Sequence, residues 1–333
     1  MKNYSVKQYQ ESDYTNWNAF IGQAKNATFL FHRDFMEYHK DRFEDFSLMI
    51  FENEKLVAVL PANKIRNEIF SHQGLTYGGL VYSDKSKLTT IINAFRSVLL
   101  FLNDNKIEKL HLKTIPTIYH AKPAEEIQYA LFLAEAKLVR RDCLSVIDLS
   151  QKNNFSKIRK RGIQKGIAKG LVIKEESDFE LFWNEILIPN LEERHHAEPV
   201  HSLKEIHLLK SFFPNDIRQF NVYHNNEIVA GTTVFETPTV AHCQYISKYE
   251  NDENLGSLDF LYHFLITDVF ANKRFFDFGI SNEAQGKLLN DGLSYWKESF
   301  GASTIIHDFY EVKTANYVKL DTFFTKSKNI LTK

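Results

Sequence analysis

The strongest constraint on the fold of this chain is that it repeats itself. Residues 46–62 read FSLMIFENEKLVAVLPA and residues 218–234 read RQFNVYHNNEIVAGTTV. Each is an apolar run, a polar turn at Asn53 or Asn225, and a second run carrying Leu-Val-Ala or Ile-Val-Ala, the pattern of a β-hairpin. Asn53 to Ala58 lies over Asn225 to Ala230 in unbroken register. One shared hairpin says little, but the order of the elements after it says more. Both halves continue with a third strand that has a histidine near its start, His72 or His242, then a polar loop and an amphipathic helix, 87–103 or 256–271. A basic turn at Lys106 or Arg274 then leads into a strand, 107–113 or 275–278, followed by a helix and a closing strand at 143–149 or 304–311. Helical segments precede each hairpin, at 13–25 and 27–40 in one half and at 178–193 and 203–212 in the other. The expectation is an internal duplication: an α/β chain of mixed (α+β) sheets, divided into tandem units at 1–150 and 151–333, the second preceded by a basic connector helix at 156–171. A length of 333 residues suits two cores rather than one. Ligands of such sheets sit at the carboxyl ends of neighbouring strands, where the connections diverge.

Charge and cysteine content narrow the class. A formal charge of −1 leaves no whole-molecule attraction for nucleic acid or anionic lipid, so any such contact needs a local patch. The two cysteines, Cys143 and Cys243, fall in separate halves without a C-x-x-C pair, which points to a reducing compartment and away from a thiolate metal site. Residues 1–14 lack the basic start and apolar run of a signal peptide, and the most apolar helical stretch, 260–271, is too short to span a bilayer. The expectation is a cytoplasmic protein without membrane insertion.

Five segments carry a family resemblance: TFLFHRDFMEY at 28–38, GLTYGGLVY at 74–82, the basic connector at 156–171, FDFGIS at 276–281 and YWKESFG at 295–301. In this order, over nearly the whole chain, they resemble the GNAT superfamily of N-acyltransferases. The tandem arrangement resembles its FemABX-like branch of peptidyl and aminoacyl transferases and the bacterial double-GNAT acetyltransferases. The resemblance implies transfer of an acyl group from acetyl-CoA or another acyl-CoA to an amine, carried by a sugar amine such as a nucleotide sugar, an amino acid or a cell-envelope precursor. Two alternatives stand beside it: a FemABX-like peptidyltransferase using an aminoacyl-tRNA, whose acceptor end would be the partner, and a catalytically silent binding protein of the same fold. The resemblance also implies a bulge that splays two parallel strands, a free backbone N–H there that polarises the donor carbonyl, and a following helix N-terminus that holds pyrophosphate. That helix start falls on Gly256 and Ser257. The loop before it, YENDENLGSL at 249–258, departs from the family's Gln/Arg-x-x-Gly-x-Gly/Ala pattern and carries Glu250, Asp252 and Glu253, which repel a pyrophosphate. Its first-half counterpart, YSDKSKL at 82–88, carries Lys85 and Lys87 instead.

Candidate residues emerge from local chemistry. No acid occurs from Ser156 through Lys174, and Lys157, Arg161, Lys165 and Lys169 form one stripe on a helix. The stripe is either a solvated face or a site for phosphates, with Arg161 and Lys165 as the cofactor contacts. In RHHAEPVH at 194–201, Pro199 forces a loop. Arg194 there can clamp a carboxylate or phosphate, and His195, His196 or Glu198 can accept an amine proton; a plain surface loop is the other reading. The histidine spacing does not match a helical zinc motif, so no metal is expected. Alternation along the third strand puts His242, Gln244 and Ile246 on one face and Cys243, Tyr245 and Ser247 on the other. His242 or Tyr245 is then a proton-transfer candidate and Gln244 a substrate contact, against the plainer reading of a half-buried histidine bonded to a neighbour. Asp277-Phe278-Gly279 matches the kinase metal triplet, yet no glycine-rich phosphate loop or H-R-D loop accompanies it, so 275–278 reads as a buried strand delivering Ser281 and Asn282 to a cleft. Lys297 is a substrate contact by its family-like position. Gly74, Gly78 and Gly79 either admit a ligand to the backbone or relieve turns. The expected chemistry is direct attack by an amine bound between the halves, without a covalent enzyme intermediate.

Overall fold

The computed structural model describes residues 3–152, 154–249 and 255–321. Two units emerge, one running to Arg141 and resuming at His307, the other covering Asp142–Ile306. This differs from the 1–150 and 151–333 expectation because the closing strands are long. Phe309–Lys313 of the Ser303–Lys313 strand pairs antiparallel with Lys109–Lys113, which puts the last described segment in the first unit. The end of the Lys137–Asp148 strand pairs with Phe275–Ile280 and belongs to the second.

In the first unit an antiparallel sheet joins Tyr4–Gln8, Leu48–Glu52, Lys55–Leu60 and Val81–Tyr82. Its hairpin turns at Asn53 (φ 46°) and Glu54 (φ 67°), both left-handed, as a two-residue turn of matching twist requires. A second set of strands runs Glu44–Asp45, Asn63–Ile65, Glu68–Phe70 and Lys109–Lys113, the last two parallel. The Leu88–Asp104 helix buries Ile91, Ile92, Phe95, Val98, Leu99 and Leu102 at helical spacing. Each such side chain, once fully buried, stabilises the fold by about 1.5–3 kcal/mol.

The second unit places Val172–Glu176, Ile217–His224, Glu227–Glu236 and Val240–Lys248 side by side, all antiparallel. Its hairpin turns at Asn225 and Asn226, again with positive φ. Val240–Lys248 then runs parallel to Phe275–Ile280, but only three pairs form, Val240–His242 with Phe275–Asp277. One face of this sheet packs Phe220, Val222, Val234 and Cys243 against Leu261, Tyr262, Leu265 and Phe270. These come from the Ser257–Phe264 helix and the π-turn after it, Leu265–Val269. The Lys157–Ala168 helix, capped by Ser156, lies against the start of Ser257–Phe264 through its glycines. A Cβ on Gly162 would come within 1.7 Å of Asp259 Oδ2, and one on Gly166 within 2.6 Å of Phe260 Cβ. Close packing therefore holds a helix whose repeated positive charges oppose it. Among the described residues no helix is long and apolar enough to cross a membrane.

Candidate active site

The site begins with an irregularity in one strand. Thr233 pairs with Tyr245 and Val234 with Cys243, which leaves Gln244 as one extra residue, a β-bulge. Strict alternation fails there. Cys243 and Ile246 face the core around Tyr262, whereas Tyr245 lies edge-on to Trp183 at 5.1 Å. His242 pairs with Phe235 and Tyr245 with Thr233, so His242 and Tyr245 share the face that the uninterrupted pattern would separate. The expected grouping of Cys243 with Tyr245 is corrected accordingly. The Oε1 of Gln244 is buried without a hydrogen-bond partner among the described residues.

His242 and Asp277 are the last paired residues before their strands part. The Nδ1 of His242 lies 2.9 Å from Oδ2 of Asp277, whose side chain is 0% exposed. The other carboxylate oxygen accepts the Gly279 N–H at 2.7 Å. A carboxylate against Nδ1 favours a proton there and leaves Nε2 as the basic nitrogen. Gly279 has φ 73°, a conformation that a side chain disfavours, and two residues oppose one across to Leu144–Val146 at this point. Beneath the turn, Lys297 of the Asp291–Glu298 helix donates to the Gly279 carbonyl at 3.1 Å and the Ile280 carbonyl at 2.6 Å. It is 2% exposed, and burial brings its ammonium down to about 8 although Asp277 opposes the change. Lys297 thus supports the strand end instead of reaching into open space. Ser281 and Asn282 do similar bracing: Ser281 Oγ lies 3.3 Å from Ser145 Oγ, while Asn282 accepts the Cys143 N–H and donates to Asp142, both at 2.8 Å.

Of the 194–201 segment, Arg194 and Glu198 are exposed, and the side chain of His195 lies outside the described residues. The residue that turns inward is His201, 4% exposed. Its Nδ1 lies 2.6 Å from the Tyr245 hydroxyl, to which its backbone N–H also donates at 3.0 Å. The structure therefore brings together His242, Gln244 and Tyr245 on one strand and adds Asp277, Gly279 and His201. In the sequence Asp277 is masked by its kinase-like triplet, and His201 is hidden behind the more numerous histidines and acid before it; its signal is the Ser-x-x-Glu capping pattern that starts at Ser202.

The expected cofactor residues do not share a site. Gly256 caps the Ser257–Phe264 helix with φ 70°, and a Cβ on it would come within 2.3 Å of the Gly162 carbonyl oxygen. Ser257 is fully buried, and Asp259 in the first turn is ion-paired with Arg159. With a carbonyl and a carboxylate at that helix end, a coenzyme A pyrophosphate does not fit there. Arg161 and Lys165 are exposed, away from the packed face of Gly162 and Gly166. Glu250, Asp252 and Glu253 lie outside the described residues.

The corresponding place in the first unit is closed. There the third strand is interrupted between Glu68–Phe70 and Val81–Tyr82, and the Gly78 N–H donates to the Lys113 carbonyl at 2.9 Å. A cavity of about 20 Å³ remains beside Gly78, Gly79, Thr114 and His120, room for roughly one water. His72 is buried, stacked on His39 at 5.0 Å, and burial with that neighbour holds its imidazole down to about 2. It is neutral at any physiological pH.

A scan of protein-family models finds no match, and none is found among curated protein sequences. Solved structures do match. FemX superposes with a TM-score of 0.64 at 10% identity, over 92% of this chain and 96% of that one. The C-terminal domain of a putative lysylphosphatidylglycerol synthetase from Agrobacterium fabrum gives 0.54 at 11% identity, over 79% and 84%. A tandem GNAT protein from the clavulanic acid biosynthesis pathway gives 0.51 at 10%, over 94% and 99%. At such identities the likeness is one of fold: this chain has the tandem GNAT, FemX-like architecture.

Proposed function

We propose that the second unit is an acyl- or aminoacyltransferase, joining an activated carbonyl to an amine by direct attack. The observation that carries this reading is the parting of Val240–Lys248 from Phe275–Ile280 beside a bulge, with the His242–Asp277 pair at the point of divergence. In this reading Nε2 of His242 removes a proton as the amine attacks, and Asp277 holds the resulting imidazolium. Backbone N–H at the bulge polarises the carbonyl. Tyr245 protonates the leaving group. No step is assigned to coenzyme A, given the occupied helix end.

That same helix end favours an aminoacyl ester such as a charged tRNA over an acyl-CoA as donor, and the exposed Lys157, Arg161 and Lys165 suit its phosphates. The acceptor is a small amine: a sugar amine, an amino acid or a cell-envelope precursor. A cytoplasmic site of action belongs to the same proposal. The test is to offer the protein acyl-CoAs and charged tRNA with a panel of amines and to measure product by mass spectrometry. Transfer that is lost in His242→Ala supports the reading. Tight binding of these ligands without transfer by the wild type rejects it in favour of a silent binding protein.

A further inference from the structure

The bulge has to be held as well as made. Thr232 and Thr233 are the two residues of the straight strand just before the register shift, paired with Ile246 and Tyr245. Both are 0% exposed, and successive side chains leave a strand on opposite faces. Thr232 stands between Phe220 and Ile246 on the core face, while Thr233 stands between Gln219 and Tyr245 on the other. A buried hydroxyl needs partners, and the two threonines find different ones. Thr233 Oγ1 donates at 2.7 Å to Oε1 of Gln219, a side chain of the next strand, which in turn donates to Asn221 Oδ1 at 2.7 Å. Thr232 Oγ1 instead donates at 2.7 Å to the main-chain carbonyl of Tyr245, on the bulged strand itself.

A carbonyl only accepts, so the Thr232 hydrogen is committed to Tyr245, and the Thr232 oxygen in turn accepts the Tyr262 O–H at 3.1 Å. Tyr262 belongs to the Ser257–Phe264 helix, is 0% exposed, and lies edge-on to Phe278 at 5.0 Å and to Phe300 at 5.8 Å. A line of two hydrogen bonds therefore runs from a ring fixed in the core to the residue next to the surplus one. A bulge leaves its extra residue out of the ladder and bends and twists the strand, so the main chain beside it has fewer bonds to keep its direction.

We propose that Thr232, anchored by Tyr262, is the positioning residue that holds the main chain of the bulge in the geometry the transfer step needs, an inference that rests on the transfer reading above. Holding the Tyr245 carbonyl pins one end of the bulge, so the main-chain N–H groups there keep one direction before substrate arrives. Such donors stabilise charge on the donor oxygen without having to reorganise at the moment of reaction. The hydroxyl itself exchanges no proton with substrate. Its effect falls on the transition state and leaves ground-state binding as it was.

Two measurements test this on the full-length protein. Tyr245–Ile246 is the only Tyr-Ile step in the sequence, so carbon-13 at tyrosine carbonyls with nitrogen-15 at isoleucine amides reports that peptide singly. Its carbonyl resonance moves upfield in Thr232→Val, which keeps the shape and removes the hydroxyl, and returns in Thr232→Ser. The second measurement is the rate: Thr232→Val lowers kcat about 10- to 100-fold with KM nearly unchanged, and Thr232→Ser recovers most of it. Tyr262→Phe, which leaves the Thr232 hydroxyl in place without its anchor, lowers kcat about three-fold or more. Thr233→Val removes an equally buried hydroxyl from the other face; it lowers the melting temperature to a similar degree and leaves kcat within about three-fold of wild type. An unmoved carbonyl resonance, or equal losses of kcat in Thr232→Val and Thr233→Val, overturns the proposal and makes Thr232 a packing residue. If Thr232→Val does not fold, Tyr262→Phe set against Thr233→Val decides the question in the same way. Absence of transfer by the wild type would instead overturn the parent reading, while the resonance still decides whether the hydroxyl holds that peptide.

Discussion

The two units share an order of elements and differ at the place where it matters. Both have a left-handed two-residue hairpin turn at an asparagine and a long helix behind the sheet. In the second, the third strand runs unbroken from Val240 to Lys248 with one surplus residue, and its parallel neighbour leaves it after Asp277. In the first, residues 71–80 interrupt the strand and Gly78 bonds to Lys113, filling the corresponding crevice down to a water-sized void. One surplus residue marks the parting of the strands in the second unit, where ten residues interrupt the strand in the first. The histidines differ in the same sense: His242 is partnered by a buried carboxylate, while His72 is stacked on another imidazole and held neutral.

The comparison can be broken in several ways. Deleting Gln244 removes the bulge and leaves Cys243 and Tyr245 as neighbours on opposite faces, the register they already have. The expected result is a fall in transfer of about 10²-fold or more with the cooperative thermal transition retained, since the backbone N–H at the bulge is lost while the packing of both faces is kept. Gly162→Val pushes a side chain into Asp259 and should cost about 1–3 kcal/mol in urea unfolding, a contact specific to the second unit.

Two lysines, one in each unit, sharpen the contrast by pH. Lys297 has a folded pKa of about 8, below the 10.5 of the free side chain, so its charged form is penalised in the native state. Below about pH 8 both states are protonated and the penalty is fully present. Between about 8 and 10.5 the unfolded chain binds more protons, so stability rises with pH, and above 10.5 the penalty is gone. Wild type should therefore gain relative to Lys297→Met across that window, by about 3 kcal/mol at most. Burial brings Lys113 to about 7, so the corresponding gain over Lys113→Met should begin about one pH unit lower. The smallest effect belongs to the exposed stripe: Arg161→Gln relieves like charges at Lys157 and Lys165 and should stabilise by about 0.2–0.5 kcal/mol per pair, read from denaturation midpoints.

Sequence alone reached the repeated hairpins, the Leu88–Asp104 helix and the mixed sheets, because turn residues and helical spacing are local signals. It also singled out His242, Gln244 and Tyr245, which lie on one strand around the bulge. It misassigned the chain's last strand, since which neighbour a closing strand joins is decided by long-range pairing. The resemblance implied a bulge but no local signal places it at Gln244, because one surplus residue has no propensity of its own, and strict alternation therefore put Cys243 and Tyr245 on the same face. Gly162 and Gly166, one turn apart, carried a packing message within a segment read for its charge, and that packing fills the helix end expected to take pyrophosphate.

The central proposal is that transfer takes place where the second unit's strands part, beside His242, and not at the corresponding place in the first unit. Measuring kcat for His242→Ala and His72→Ala side by side in the same transfer assay tests it most directly. The account predicts a fall of about 10²- to 10⁴-fold for His242→Ala and a rate within about two-fold of wild type for His72→Ala. A collapse of turnover in His72→Ala with the fold intact, or full activity in His242→Ala, would contradict it.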